Sequence, residues 1–181
     1  MSRLITKSIV TKKNAIVIGI GILCLCAMIT FSIYQWFASQ RFNPGEITFE
    51  VILLFALIER VGAKYTYEMS QKSLRITKRG MFGLQKYEVA YRDILGIYHY
   101  QPQIVGVMKF RRTFRLNSAI DGRDVWTLAY NFVGVNGKIE NRRMYLKPGD
   151  EFLAALHGKM PNKVMITEEK VIIADINKQS D

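Results

Sequence analysis

Apolar positions are concentrated near the start of the chain and alternate with polar ones later. Residues 14–38 form a run of 25 without one Asp, Glu, Lys or Arg. At 1.5 Å per residue this makes about 37 Å of helix, enough to cross a hydrocarbon core of about 30 Å. Tyr34 and Trp36 fall at its end, where amphipathic rings favour the lipid–water interface, and Gly19 and Gly21 are tolerated in lipid. A cleaved signal peptide would use the same basic flank, Arg3, Lys7, Lys12 and Lys13, but the run is too long for one and no small-x-small site closes it. After a turn at Asn43-Pro44-Gly45 comes a second apolar segment, 47–63, shorter and interrupted by Glu50, Glu59 and Arg60. It either spans, with its charges close enough to the ends to reach headgroups, or lies in the interface and leaves the rest as an extracytoplasmic domain on a single transmembrane anchor.

From residue 64 onward the period changes to that of strands, with β-branched and aromatic runs between turn signals. Strands are predicted at 65–69, 74–77, 86–90 and 94–101, with a loop from Lys78 to Gly83. Shorter pieces are predicted at 104–105, 107–108 and 114–116. Two further strands, at 125–133 and 138–146, flank Asn136-Gly137, a pair that readily takes the positive φ of a type I′ hairpin. Pro148-Gly149-Asp150 opens a helix with Asp150 as N-cap, Phe152, Leu153 and Leu156 on one face, and Gly158 just past its end. The tail 161–181 carries β-branched runs at 164–167 and 171–173, read as an extra hairpin or a partner-dependent segment.

Charge changes the picture from a hydrophobic chain to a segregated one. The 26 Lys and Arg exceed the 15 Asp and Glu, for a net charge of +11. This divides into +4 for 1–13, zero for 14–38, −1 for 39–63 and +8 for 64–181. Such a balance allows nucleic acid, acidic proteins or a membrane as target. Its placement on both flanks of apolar segments selects membrane lipids and excludes nucleic acid from the expected partners. Four cations precede the first run and only Arg41 directly follows it, so the N-terminus is expected in the cytoplasm. Lys64, Lys72, Arg75, Lys78 and Arg79 after the second segment favour a return, giving a multi-pass inner-membrane protein with both termini cytoplasmic. The expected organisation is a basic N-terminus (1–13), transmembrane helices at 14–38 and 47–63 joined by an external loop (39–46), a cytoplasmic domain (64–160) and the tail.

The order of these features resembles the bacterial pleckstrin-homology-like membrane proteins. The resemblance is carried by Tyr65-Thr66-Tyr67-Glu68-Met69, Leu74-Arg75-Ile76-Thr77, Arg79-Gly80 with Phe82-Gly83, Tyr87-Glu88-Val89-Ala90, Arg92-Asp93-Ile94 and the helix start Gly149-Asp150-Glu151-Phe152-Leu153. It covers residues 45–158 and departs from the family at Ala90, where proline is usual, and in the polar second helix. It implies a membrane-anchored α+β fold: a two-helix transmembrane hairpin, then an antiparallel pleckstrin-homology-like β-sandwich or barrel capped by one C-terminal helix. It further implies a non-enzymatic interaction or assembly module, acting on a protein partner or on copies of itself.

The densest constellation is Lys109-Phe110-Arg111-Arg112-Thr113-Phe114-Arg115. It is read either as a basic face for anionic lipid, with Phe110 and Phe114 dipping into the interface, or as a strand with the rings inward and the cations solvated. The first reading makes the chain an anionic-lipid sensor. A weaker cluster, Lys72, Arg75, Lys78 and Arg79, lies on the first predicted hairpin, and Arg142 and Arg143 lie beside Asn136-Gly137. Glu50 in an apolar helix is a contact for another membrane subunit or a group near the outer headgroups. Cys24 and Cys26 sit in the first apolar run, which excludes a disulfide framework, and His99 and His157 are far apart, so neither metal nor cofactor is expected. No P-loop, H-E-x-x-H or G-x-S-x-G occurs, and catalytic residues are not expected.

Overall fold

The computed structural model describes residues 4–39, 43–100, 109–134 and 136–180 as an α+β protein. The pieces predicted at 104–105 and 107–108 lie outside the described residues. The chain enters through a short strand β1 (Leu4–Lys7) and then the long helix α1 (Lys12–Ser39). Among the described residues α1 is the one helix long and apolar enough to cross a membrane, from Lys12 to Ala38. Helix α2 (Pro44–Gly62) begins three residues earlier than the predicted segment. Asn43 caps it, its Oδ1 accepting from the Glu46 N–H, and Pro44 takes the first position, where no N–H is needed. With Glu46, Glu50, Glu59 and Arg60 along it, α2 is too polar to join α1 as a candidate span, so the expected pair of transmembrane helices is reduced to one by length and composition.

The remaining chain forms two four-stranded sheets. The first comprises β1, β2 (Lys64–Met69), β3 (Ser73–Gly80) and β4 (Gly83–Ala90), paired antiparallel in that order. Alternation decides which face is buried: Tyr65, Tyr67 and Met69 on β2 and Leu74 and Ile76 on β3 point inward. The predicted loop from Lys78 to Gly83 is mostly strand. Gly80 pairs with Gly83, leaving Met81 and Phe82 as a tight turn, and Gly83 takes φ +95°, which a glycine adopts without strain.

The second sheet comprises β5 (Ile94–His99), β6 (Arg112–Arg115), β7 (Trp126–Val133) and β8 (Ile139–Leu146), in the order β5-β7-β8-β6. The edge strand β6 runs parallel to β8, a departure from the expected all-antiparallel sandwich. The two sheets do not close into a barrel. The Asn136-Gly137 hairpin forms with Gly137 at φ +72°, but the ladder ends at Val133 opposite Ile139, so the connection is longer than a two-residue turn.

The sheets enclose one main core that includes Tyr67, Ile76, Ile94, Ile97, Leu128 and Met144. Helix α3 (Asp150–Lys159) closes it with Phe152, Leu153 and Leu156, as its 3.6-residue period predicts. The cap residue is Gly149 at φ +85°, not Asp150, and Gly158 lies inside the last turn. The tail is not a hairpin. Only Val164 makes a bridge, to Ile97, and residues Glu168–Ser180 form helix α4 on the outer face of β5. Val171 and Asp175, four apart, are buried on one face there, and Glu168 and Glu169 occupy the first turn, where acids complement the helix dipole. Close approach requires Gly96, because a Cβ there would stand 2.6 Å from Val171 Cγ2. Two helices, not one, therefore follow the sheets.

Candidate functional site

The strand register defines two ends of the β domain. At one end the domain meets α1 and α2. Lys64 pairs with Arg79 there, Ser8 N–H bonds to Tyr65 O, and Thr11 bonds to Ile120 O and Gly122 N–H. At the other end lie the turns between β2 and β3, β4 and β5, and β7 and β8, with Asp93 O accepting from Asn131 N–H.

The basic residues singled out in the sequence separate along this axis. Arg111 and Arg112 lie toward the far end, where they line a cleft of about 380 Å³ with Phe132, Gly134, Asn136, Lys138, Glu140 and Arg142. Four cations there surround one carboxylate. Glu140 bonds to Arg142 Nε and Nη2 at 3.2 and 2.9 Å and pairs with Arg111 Nη1. The Arg142 hydrogen bonds, with the charges of Arg111 and Arg112, hold its carboxyl below the usual carboxylate range against the opposing effect of desolvation. Arg142 also stacks on Phe132, its guanidinium carbon 3.5 Å from the ring centroid. Among the described residues, the Arg112 and Lys138 side chains make no hydrogen bond or ion pair, so the cleft keeps cations not committed to internal partners.

Arg115, three residues along β6, is at the helix end instead. It lines a second cleft of about 210 Å³ with Arg60, Tyr100, Asn117, Val125 and Tyr145. The rings interleaved with the cations are internal: Phe114 packs against Tyr87 and the main core, and Phe110 lies under Arg143 and against the smaller core cluster beneath α4. Lys109 is exposed. Phe114 on β6 therefore faces the main core, whereas Phe110 lies ahead of the strand and packs on the opposite face of the sheet, so the two rings do not share one side.

The second predicted cluster divides as well. Lys72 is in the far-end turn, and Arg75 bridges Glu68 at 3.6 Å and Glu88 at 3.2 Å on neighbouring strands. Lys78 and Arg79 are at the helix end, where Lys78 Nζ pairs with Glu59 on α2 at 2.9 Å. Glu50 is 3% exposed and turned toward α1, its Oε1 accepting from the Ser32 hydroxyl at 3.2 Å. It thus serves the α1–α2 contact within the chain. His99 stands 3.9 Å from Asp124 with its ring edge against Trp126, and His157 is in the last turn of α3.

Sequence reasoning missed Lys138, Glu140, Asn136 and Arg142 as partners of Arg111 and Arg112. About thirty residues separate the two segments, and only the parallel β6–β8 pairing, Arg112 opposite Arg142, brings them together. It also missed Arg60 as a partner of Arg115. No family model matches the chain, and neither a curated protein nor a solved structure matches it.

Proposed function

We propose that the chain is a membrane-anchored, non-enzymatic interaction module of the pleckstrin-homology-like type. In this reading α1 and α2 cross the inner membrane as a hairpin, both termini are cytoplasmic, and the β domain assembles with a protein partner or a second copy. The observation that carries the anchor is topological. Strand β1 precedes α1, β2 follows α2, and the two pair over four residues, Leu4 opposite Met69 through Lys7 opposite Thr66. If α1 crosses the bilayer, strands on both sides of the helices can share one sheet only when α2 brings the chain back. Pairing Glu59 with Lys78 eases the placement of that charge at the end of α2, and Glu50 is turned toward Ser32 on α1 and away from lipid. The cations that flank the helices favour the cytoplasmic face for the domain.

The interaction surface in this reading is the far-end cleft. Lys138, just ahead of β8, is seven residues from Tyr145, about 23 Å at strand rise, and Arg142, opposite Arg112, is three residues from it, about 10 Å. Cations held that far from the bilayer favour an acidic protein surface over headgroups, because screening limits attraction to about 8–10 Å at physiological salt. Purification of the full chain in mild detergent, with mass measurement, tests this. We expect a stoichiometric partner or a second copy beyond the 20.9 kDa chain, lost in the Arg112→Glu/Lys138→Glu variant. A monomer, or an assembly indifferent to the double reversal, contradicts the reading. One observation favours a second reading, direct binding of anionic headgroups: the helix-end cleft joins Arg60 and Arg115 with no carboxylate in its lining.

A further inference from the structure

The β3–β4 turn breaks the usual chemistry of turns. Tight turns favour Gly, Asn, Asp, Ser and Pro, yet the apex here is Met81-Phe82, followed after Gly83 by Leu84. All three large side chains face outward, with Met81 at 56%, Phe82 at 69% and Leu84 at 56% exposure. The position is also specific. The turn lies along α2, where Glu59 Oε2 accepts from the Met81 N–H at 3.0 Å and Glu59 Oε1 pairs with Lys78. Gly80 leaves room for this seat, since a Cβ there would stand 2.6 Å from Glu59 Oε1 and push the carboxylate aside. Beyond Glu59, the Phe82 ring meets Phe55 edge to face, with centroids 5.7 Å apart.

Phe55 lies four residues before Glu59, about 6 Å along the helix axis and farther from the β domain. The apex of the turn therefore reaches about one helical turn past the last charges of α2. It joins an apolar surface on that helix to which exposed Ile52, Phe55 and Ile58 contribute. Behind the apex, Lys64 and Arg79 face each other across β2 and β3, and Arg60 is in the last turn of α2. An apolar tip with cations set behind it matches the two layers of a lipid leaflet, acyl chains and anionic phosphates.

We propose that the β3–β4 turn is a bilayer-inserting tip: Met81 and Phe82 enter the acyl region beside α2, and Leu84, paired with Arg79, lies with Lys64 and Arg79 at the level of the headgroups. This rests on the reading that α2 spans, and fixes the depth and tilt at which the β domain is held. Continuity with the lipid-facing side of α2 selects lipid over a second protein as what covers the tip.

Site-directed spin labelling of the full chain tests it in vesicles of phosphatidylethanolamine and phosphatidylglycerol. In a Cys24→Ala/Cys26→Ala background, labels are placed singly by Phe82→Cys, by Met81→Cys, which leaves the Phe55 contact intact, by Ile52→Cys as a lipid reference and by Asn136→Cys as a water reference. The expected result is that labels at 81 and 82 collide more with oxygen than with a water-soluble nickel chelate, as at 52 and opposite to 136. A water-like pattern at 81 and 82 beside a lipid-like one at 52 overturns the tip while leaving the span intact. Shielding from both reagents at 81 and 82 means that protein covers the tip and overturns it equally. A water-like pattern at 52 overturns the span itself, and the inserted tip with it.

Discussion

Asp121 shows how a single side chain ties the helices to the β domain. It is fully buried and accepts from Ile9 N–H at 3.1 Å, just before α1, and from Arg123 N–H, while Arg123 Nη2 closes an ion pair at 2.6 Å. Arg123 in turn donates to Lys7 O on β1 and Pro148 O ahead of α3, and Lys147 Nζ bonds to Asp121 O. Burial alone would raise the Asp121 carboxyl, but the Arg123 side chain, the two backbone donors and the Arg123 charge outweigh it and hold it below its ordinary 3.8. The sign of the linkage follows. A lowered folded value means that the ionised form stabilises the fold at neutral pH, and the contribution is lost as pH falls from about 4 through the lowered value. Asp121→Asn is expected to cost about 2 kcal/mol at pH 7, at the modest end for a broken buried pair because Arg123 keeps some exposure. Thermal unfolding in detergent across pH checks this. The gap between wild type and variant should narrow below pH 4, and a gap independent of pH would contradict the assignment.

At the scale of elements, β1 is the piece on which the topology depends. Ser8 N–H bonds to Tyr65 O, so by the antiparallel alternation Thr6 N–H bonds to Tyr67 while Ile5 N–H points off the sheet edge. Thr6→Pro is therefore expected to destabilise the domain by about 3 kcal/mol, and Ile5→Pro by much less, since proline is tolerated where an edge strand needs no donor. Equal losses in thermal unfolding would show the register to be wrong. Such a strand was not legible in the sequence: four residues, the last of them Lys7, carry too little period. The strands β2 and β7 and the inner face of α3 were legible, because inward residues there recur at two or at three and four, and β5 was legible as a continuous apolar run buried on both faces. The tail misled for a physical reason. Val171, Ile172 and Ile173 are β-branched, but burial recurs at Val171 and Asp175, and the docking surface supplied by Gly96 overrides local strand preference. The far-end cleft was only half legible, since Arg111 and Arg112 stand out as a run whereas Arg142 reads with Arg143 as a solvated pair beside the hairpin and Lys138 as the start of a strand.

For the whole molecule, the cations behind the net charge of +11 include two groups at opposite ends of the β domain. Lys7, Lys12, Lys13, Arg60, Lys64, Arg79 and Arg115 gather where the helices leave the β domain, which in the proposed topology would set them against an anionic leaflet. Arg111, Arg112, Lys138 and Arg142 are displaced to the opposite end, where Arg111 and Arg142 pair with Glu140. Both groups depend on one arrangement, in which the chain leaves the domain through α1 and returns through α2. Reporter fusions to the cell-expressed protein at the N-terminus, after Gly45 and after Asp181 test that arrangement most directly. The account predicts cytoplasmic signals at both termini and an external signal after Gly45. Termini on opposite sides of the membrane would contradict it, because β1 and β2 could not then share a sheet.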